Sequence, residues 1–267
     1  MFGFLTMGWR HRTLLGRLAR REIHARYKGS IVGLLWAALL PLIMIGIYAF
    51  AFGTVMRSRW IVPDGQSSTY NFAMLLFAGY ILFSIFSDAV ARSPGLLSEN
   101  VAYIKKVVFP LEIIPCVAVV TSLVNGGIAF LVFLAIFVGL YGLPPWTILL
   151  FPFVVLPIVL LTLGVTYILS SLGVFLRDLR QLVPLMVTAL LFLSPVFYPL
   201  DAIPEQFRAL ISLNPLTVGI TQFRDIVFFG RIPDPLTWGL YLIASVLVAA
   251  LGFWLFNRTK KAFADVI

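Results

Sequence analysis

The chain has 267 residues, of which 61% are hydrophobic and only 12% charged; an ordinary soluble domain is about 45–50% apolar and about 25% charged. Too few charges exist to cover a soluble fold of this size, so the excess apolar surface belongs in lipid. The net charge of +9 does not make it a nucleic-acid binder, because the cations sit between apolar runs, as loops between membrane spans do, and form no single stripe. One cysteine, Cys116, excludes an intrachain disulfide and any multi-cysteine metal site.

In chain order, residues 1–30 form an N-terminal cytoplasmic interface segment. On a helix, Leu14, Leu15, Leu18, Ala19, Ile23 and Tyr27 share one face, and Arg10, Arg17, Arg21, His24 and Lys28 another. Such a helix can lie in the headgroup layer with its cations on anionic lipid; plain positive flanks of a span are the alternative. A membrane-crossing helix needs roughly 20 mostly apolar residues. Six stretches qualify: Ile31–Val55, Tyr70–Ala91, Ile113–Tyr141, Trp146–Phe175, Leu182–Leu200 and Trp238–Phe256. The first is far longer than the roughly 7–15 residues of a signal-peptide core, so it is expected to stay uncleaved. Residues 31–256 then make one membrane domain, and 257–267 a short cytoplasmic tail.

Fifteen cations fall on the side of the two termini, between Arg10 and Lys28, at Arg92, Lys105, Lys106, Arg177 and Arg180, and in the tail. The other side carries Arg57, Arg59, Arg208, Arg224 and Arg231, matched by five acids. The bias puts both termini in the cytoplasm. Ser194–Pro235 is too apolar for a free external loop and too broken by proline for one span. It suits re-entrant elements covered by protein or a water-filled cavity, with a short helix at Leu216–Gly230; an interfacial hairpin is the other reading. The expected fold is an all-α integral membrane protein of six transmembrane helices, with an amphipathic interface helix before them and re-entrant external helices between the fifth and sixth.

The chain holds no G-x-x-x-x-G-K-[ST], H-E-x-x-H or G-x-S-x-G, and no span carries two carboxylates. Nucleotide binding by a P-loop, intramembrane zinc catalysis, serine hydrolysis and dyad proteolysis are thereby set aside. Asp88 is the one acid expected inside a span, and it lies one turn from Arg92, so the two are expected to pair structurally. So few ionisable groups argue against an ion-coupled carrier. Aromatics are abundant instead. Tyr48 and Phe52 in the first span are four apart and share a helical face; Phe192, Phe197 and Tyr198 fall in the fifth. Such rings either stack on sugars and let a polymer slide, or face lipid and the interfacial belt.

Several segments, in order, resemble the polysaccharide and teichoic acid ABC exporter permeases. They are Arg26-Tyr27-Lys28-Gly29-Ser30 with Gly33-Leu34-Leu35-Trp36 and Pro41-Leu42; Asn100 with Ile104-Lys105-Lys106-Val107 and Phe109-Pro110; Phe175-Leu176-Arg177-Asp178-Leu179 with Val183-Pro184; and Ser194-Pro195-Val196-Phe197-Tyr198-Pro199 with Ile203-Pro204 and Asn214-Pro215-Leu216. Leu176 departs from the Arg or Tyr expected there. The resemblance runs from about Arg20 to Phe256 and belongs to the ABC-2 superfamily. It implies a homodimer on two copies of a separate P-loop ATPase subunit, with ATP and Mg bound by that partner and no cofactor in this chain. It implies a lipid-linked glycan as cargo, of O-antigen, capsule or teichoic acid type, crossing the bacterial inner membrane. Tyr48, Phe52, Phe192, Phe197 and Tyr198 would line the path. Arg20 and Arg21 on the N-terminal helix, and Val101, Ile104, Lys105 and Lys106 in the Val101–Phe109 segment, would meet the ATPase. Ser194–Gly230 would form the external gate. The alternatives are a drug- or lipid-exporting ABC-2 permease and, in a different class, a polyprenyl-linked glycosyltransferase; the scattered charges of the outer loops speak against the latter.

Overall fold

A computed structural model describes residues 8–28, 32–55, 69–104, 109–200 and 203–266. Within them the chain is helical. Helix α1 covers Arg12–Tyr27, α2 Trp36–Tyr48, α3 Thr69–Arg92, α4 Ile113–Tyr141, α5 Phe151–Phe175 and α6 Leu179–Leu193. After these come α7 at Glu205–Ser212, α8 at Pro215–Phe228 and α9 at Pro235–Thr259. Among the described residues, five apolar segments are long enough to cross a bilayer: Trp36–Val55, Asn71–Glu99, Ile113–Tyr141, Trp146–Phe175 and Pro235–Ala262. Helix α6 is apolar but has only 15 residues, about 22 Å at 1.5 Å per residue, short of a hydrocarbon core about 30 Å thick. The chain is a multi-pass helical membrane protein.

Local chemistry explains where the helices stop. The stretch expected as a fifth span to Leu200 leaves the helix at Leu193. Ser194 is extended (φ −104°, ψ 149°) because it precedes Pro195, whose ring disfavours the helical region for the residue before it. Ser194–Tyr198 is a run of turns and bends, so Phe197 and Tyr198 do not stand on the fifth helix. In the first span, Gly33 takes φ +56° where the helical path begins, a conformation open to glycine at little cost. The span then passes through Pro41 and widens into a π-helical stretch at Ala49–Val55, so regular four-residue spacing does not carry past Tyr48. The short helix expected at Leu216–Gly230 is α8. Pro215 occupies its first turn, where no N–H is needed. The Asn214 side chain accepts the Leu216 N–H while its amide donates to Ser194 Oγ at 2.9 Å, so one side chain caps α8 and ties it to the end of α6. At α9, Asp234 accepts from the Thr237 N–H and hydroxyl, and these bonds hold its carboxyl below the usual range.

Packing centres on α3 and α8. Phe77, Leu75 and Ile81 of α3 are fully buried, as are Ile220, Phe223, Ile226 and Val227 of α8. Phe77 meets Phe133 edge-on at 5.5 Å, and Phe130 stacks on Phe151 at 3.8 Å. Phe72, Phe77, Phe83 and Phe86 are thus packing rings. Helices α5 and α9 lie against each other where two glycines meet: a Cβ on Gly252 would come 2.3 Å from the Gly164 carbonyl oxygen. Small residues that let backbones touch are the usual means of helix association in lipid, where no hydrophobic drive acts between helices. Helix α1 places Ala19, Leu14, Leu15 and Leu18 on Ile113 and Val117 of α4, so this apolar edge meets protein where lipid was expected.

Both terminal segments lie at one end of the bundle. Glu112, just before α4, pairs with Lys260, just after α9, at 2.5 Å. Ser171 near the end of α5 bonds Thr259, and a Cβ on Gly173 would meet the Pro94 carbonyl at 2.3 Å. The opposite end joins the start of α3 to the end of α4 through Tyr141 Oη donating to Asn71 Oδ1 at 2.5 Å.

Candidate transport cavity and coupling surface

A cavity of about 440 Å³ opens between α2, α3, α4 and α6. Leu40, Pro41 and Tyr48 of α2 form one wall, Tyr80, Phe83 and Ser84 of α3 the next, Ala129 of α4 the third, and Val187, Thr188 and Leu191 of α6 the last. Two of these helices carry an internal proline at the cavity, Pro41 and Pro184. A proline inside a helix frees the carbonyl four residues back and bends the axis, which a membrane tolerates where the backbone borders protein or a cavity. The Thr188 hydroxyl donates to the Pro184 carbonyl at 2.9 Å.

Three aromatic rings meet beside this space, and a fourth residue, Tyr198, ties into them through the backbone. Tyr48 packs edge-on to Phe197 at 5.0 Å, Phe197 lies 5.4 Å from Phe192, and the Tyr198 hydroxyl donates to the Phe192 carbonyl at 2.6 Å. Their exposures differ: Phe197 is 4% exposed and Phe192 53%, so Phe192 offers its face outward while Phe197 fills the joint between the first span and the turns after α6. The Phe52 side chain lies outside the described residues.

Charges close the end of the cavity nearest the termini. Asp88 on α3 accepts two hydrogen bonds from Arg26 on α1, at 2.8 and 3.1 Å, and a longer one from Asn125 Nδ2 at 3.3 Å. Arg92 is also near, with Nε 3.6 Å from the Asp88 carboxylate, and it pairs with Glu22 of α1 at 2.5 Å. Helical spacing alone points to only the Asp88–Arg92 half of this network. Arg26 and Glu22 belong to the N-terminal helix, 62 and 70 residues away in sequence, so spacing gave no signal for them.

The described parts of the two stretches expected to meet an ATPase touch each other at Tyr103. Arg21 of α1 donates to the Tyr103 hydroxyl at 2.5 Å and lies 5.6 Å over its ring; Tyr103 belongs to the short helix Val101–Ile104 and stacks on Phe109 at 4.4 Å. Arg20 and Arg21 are exposed, and Val101 is half-buried. Lys105, Lys106 and the Ile104 side chain lie outside the described residues.

Arg224 has a large structural role, although charge counting groups it with the scattered outer-loop cations. Arg224 is 6% exposed and donates from Nε to the Leu75 carbonyl at 3.0 Å, from Nη1 to Pro195 at 2.5 Å and from Nη2 to Val196 at 2.9 Å. It thereby joins α8 to α3 and to the turns after α6. Gly79 makes the space: a Cβ there would lie 2.6 Å from Nη2. The signal was present, since Arg224 sits four residues after Ile220 and eight after Leu216 on an apolar stripe. Removing Arg224 from the outer-loop cations leaves four against fifteen.

A bundle of apolar helices around a proline-bordered cavity, with a basic helix packed at one end, fits a membrane permease. The chain belongs to the ABC-2 type transporter family, whose profile it matches over residues 13–228. It is 33% identical over 261 residues to the O-antigen export system permease protein RfbA of Myxococcus xanthus, covering 97% of each chain. It is 26% identical over 256 residues to the polysialic acid transport protein KpsM of Escherichia coli, covering 91% of this chain and 92% of that one. The inner membrane transport permease YadH of Escherichia coli (strain K12) is 28% identical over 238 residues, 85% of this chain and 90% of the relative.

Proposed function

We propose that this chain is the transmembrane subunit of an ATP-driven exporter of lipid-linked polysaccharide, of O-antigen or capsule type, in the bacterial inner membrane. The observation that carries the reading is the similarity, nearly end to end, to permeases named for export of O antigen and polysialic acid. YadH, whose name gives no substrate, is less similar to this chain than RfbA is, at 28% over 238 residues against 33% over 261. The charge bias puts both termini in the cytoplasm. The path runs along the cavity past Tyr48, which lines it, and the exposed ring of Phe192, with Phe197 packed behind Tyr48. A sliding polymer needs contacts good enough to enter and weak enough to leave, which rings without fixed charges provide. The α7–α8 hairpin, tied by Asn214 to the end of α6, acts as the external gate. Two copies complete the channel: Leu39, Ile43 and Ile47 on α2, and Leu182, Leu185 and Met186 on α6, are exposed apolar residues on the helices that border the cavity and await a partner or lipid. Each copy receives one ATPase subunit, which carries ATP and Mg.

The test is export of surface polysaccharide in a strain lacking the chain, restored by wild type or by variants at matched membrane levels. Phe197→Ala with Tyr198→Ala, and Tyr48→Ala with Phe52→Ala, are expected to cut export about tenfold, of the order of one or two stacked rings per sugar contact. Leu replacements keep the apolar area and separate the readings: Leu variants exporting at wild-type rate put these rings in packing or lipid and remove them from the path.

Coupling has its own expected result. Val101→Asp and Ile104→Asp put a charge into an apolar contact, which is costly to desolvate. Purified complexes of these variants should hydrolyse ATP while export falls. Unchanged export from both would take the Val101–Phe109 segment out of the ATPase interface.

A further inference from the structure

The cavity carries a charge arrangement that sugar stacking does not require. Of the residues lining it, Arg26 is the one cation and Asp88 the one carboxylate among the described residues. The serine and threonine hydroxyls of the lining are already spent as donors on backbone carbonyls, Ser84 on Ile81, Ser87 on Ser84 and Thr188 on Pro184, which leaves the neutral phenols of Tyr48 and Tyr80 and one charged donor. The guanidinium is therefore the strong donor facing this space, and Asp88 occupies it. The pair is built to part. Arg92 Nε, which donates to the Asp88 backbone carbonyl at 3.0 Å, stands 3.6 Å from the same carboxylate, and Arg92 Nη2 is buried without a hydrogen-bond partner among the described residues. Asn125 Nδ2 already reaches Asp88 as well. If Arg26 turns to another anion, Asp88 keeps the Asn125 hydrogen bond and the positive charge of Arg92 3.6 Å away, so its charge is not left uncompensated, the circumstance that makes most broken ion pairs costly.

Resting on the polysaccharide-export reading, we propose that Arg26 is the ligand for the phosphate group on the lipid anchor of the transported glycan, and that Asp88 holds its place until the anchor arrives. A phosphate offers the guanidinium the same two-oxygen geometry as the carboxylate it replaces, with more charge. Beyond that end the lining turns apolar, through Leu40, Phe83, Ala129, Val187 and Leu191, which fits an amphiphile with an anionic head and excludes a hydrated free nucleotide. Arg26 also belongs to α1, the helix whose Arg21 meets the proposed ATPase surface, so arrival of the anchor changes a contact of that helix.

The experiment measures binding of undecaprenyl diphosphate to the assembled permease–ATPase complex in phosphatidylcholine nanodiscs, with undecaprenol and inorganic pyrophosphate as comparisons. The two halves of the ion pair should move the affinity in opposite directions. Asp88→Asn removes the competitor and should bind the lipid diphosphate about fivefold tighter, whereas Arg26→Gln should bind it at least ~10-fold more weakly, the scale of a lost charge-assisted hydrogen bond. Thermal unfolding of each complex is recorded alongside, since a purely structural pair would lower stability in both variants and shift affinity the same way in both. That outcome overturns the proposal. Equal binding of undecaprenol also overturns it, because the phosphate is then not read. Competition by inorganic pyrophosphate as strong as by the lipid makes the site one for free anions and overturns the lipid assignment. Export by the wild-type chain is scored separately: export intact with affinities unmoved sinks the phosphate site alone, and no dependence of export on the chain sinks the reading beneath it.

Discussion

Replacing Arg224 with Leu is expected to remove most of the folded protein from the membrane. Three backbone carbonyls, those of Leu75, Pro195 and Val196, take hydrogen bonds from this guanidinium in a buried setting. Two of them belong to the turns after α6, where the chain has left the helix and the ladder no longer supplies N–H donors. In lipid or protein interior an unsatisfied carbonyl has no water to turn to. Bonds to a charged donor contribute about 1.5–3 kcal/mol each, and losing three together exceeds a large part of a typical stability of about 5–15 kcal/mol. Arg224→Lys should fail almost as badly, because one ammonium on a flexible stem cannot span three acceptors set for a planar fork. Gly79→Val should reproduce the defect from the other side, since its Cβ would fall 2.6 Å from Nη2. The check is membrane level, detergent-solubilised elution profile and unfolding temperature of the three variants. Wild-type values for Arg224→Leu would show that the arginine is dispensable to the packing of α8.

Gly252→Leu is expected to separate α9 from α5 and abolish assembly. The contact at this point is backbone on backbone: a Cβ on Gly252 meets the Gly164 carbonyl oxygen at 2.3 Å, and a Cβ on Gly164 meets the Val248 carbonyl carbon at 2.5 Å. No side chain can rotate away to make room, so the helices must part and lose contact along their length. The cost lies above the roughly 1–3 kcal/mol usual for an overpacked core. Gly252→Ala already introduces the offending atom and should lower the unfolding temperature measurably. Gly239, on the same helix, has nothing within 4 Å of its Cβ position, so Gly239→Leu is the matched control and should be tolerated. Equal tolerance of both substitutions would mean the two helices are not in backbone contact.

These two residues mark where sequence reading stops. Gly252 is one glycine among twenty, and nothing in its neighbourhood distinguishes a backbone crossing from the open surface at Gly239. Arg224 is one of five cations counted on the outer side, and charge counting treats a buried guanidinium and a solvated one alike. Tyr48 and Phe197 are 149 residues apart, and only the turns that Pro195 forces after Leu193 bring the second ring back over the first.

What the sequence determined by itself was set by local and compositional physics. The shortage of charge against apolar bulk required lipid. Runs of about 20 apolar residues placed the long helices, and the third matched at both ends, Ile113 and Tyr141. Proline and asparagine at Asn214-Pro215 started α8, because capping and a fixed φ act within a few residues. Tertiary structure alone decided the partners. Arg26 reaches Asp88, Arg21 reaches Tyr103 and α1 packs on Ile113 and Val117, joining segments that local rules describe separately. In lipid every apolar face of every span looks equally buried from the sequence, because tails and side chains offer the same environment. Which faces meet is settled by shape, by the glycines that admit close approach, and by the few polar groups that must find one another once water is gone.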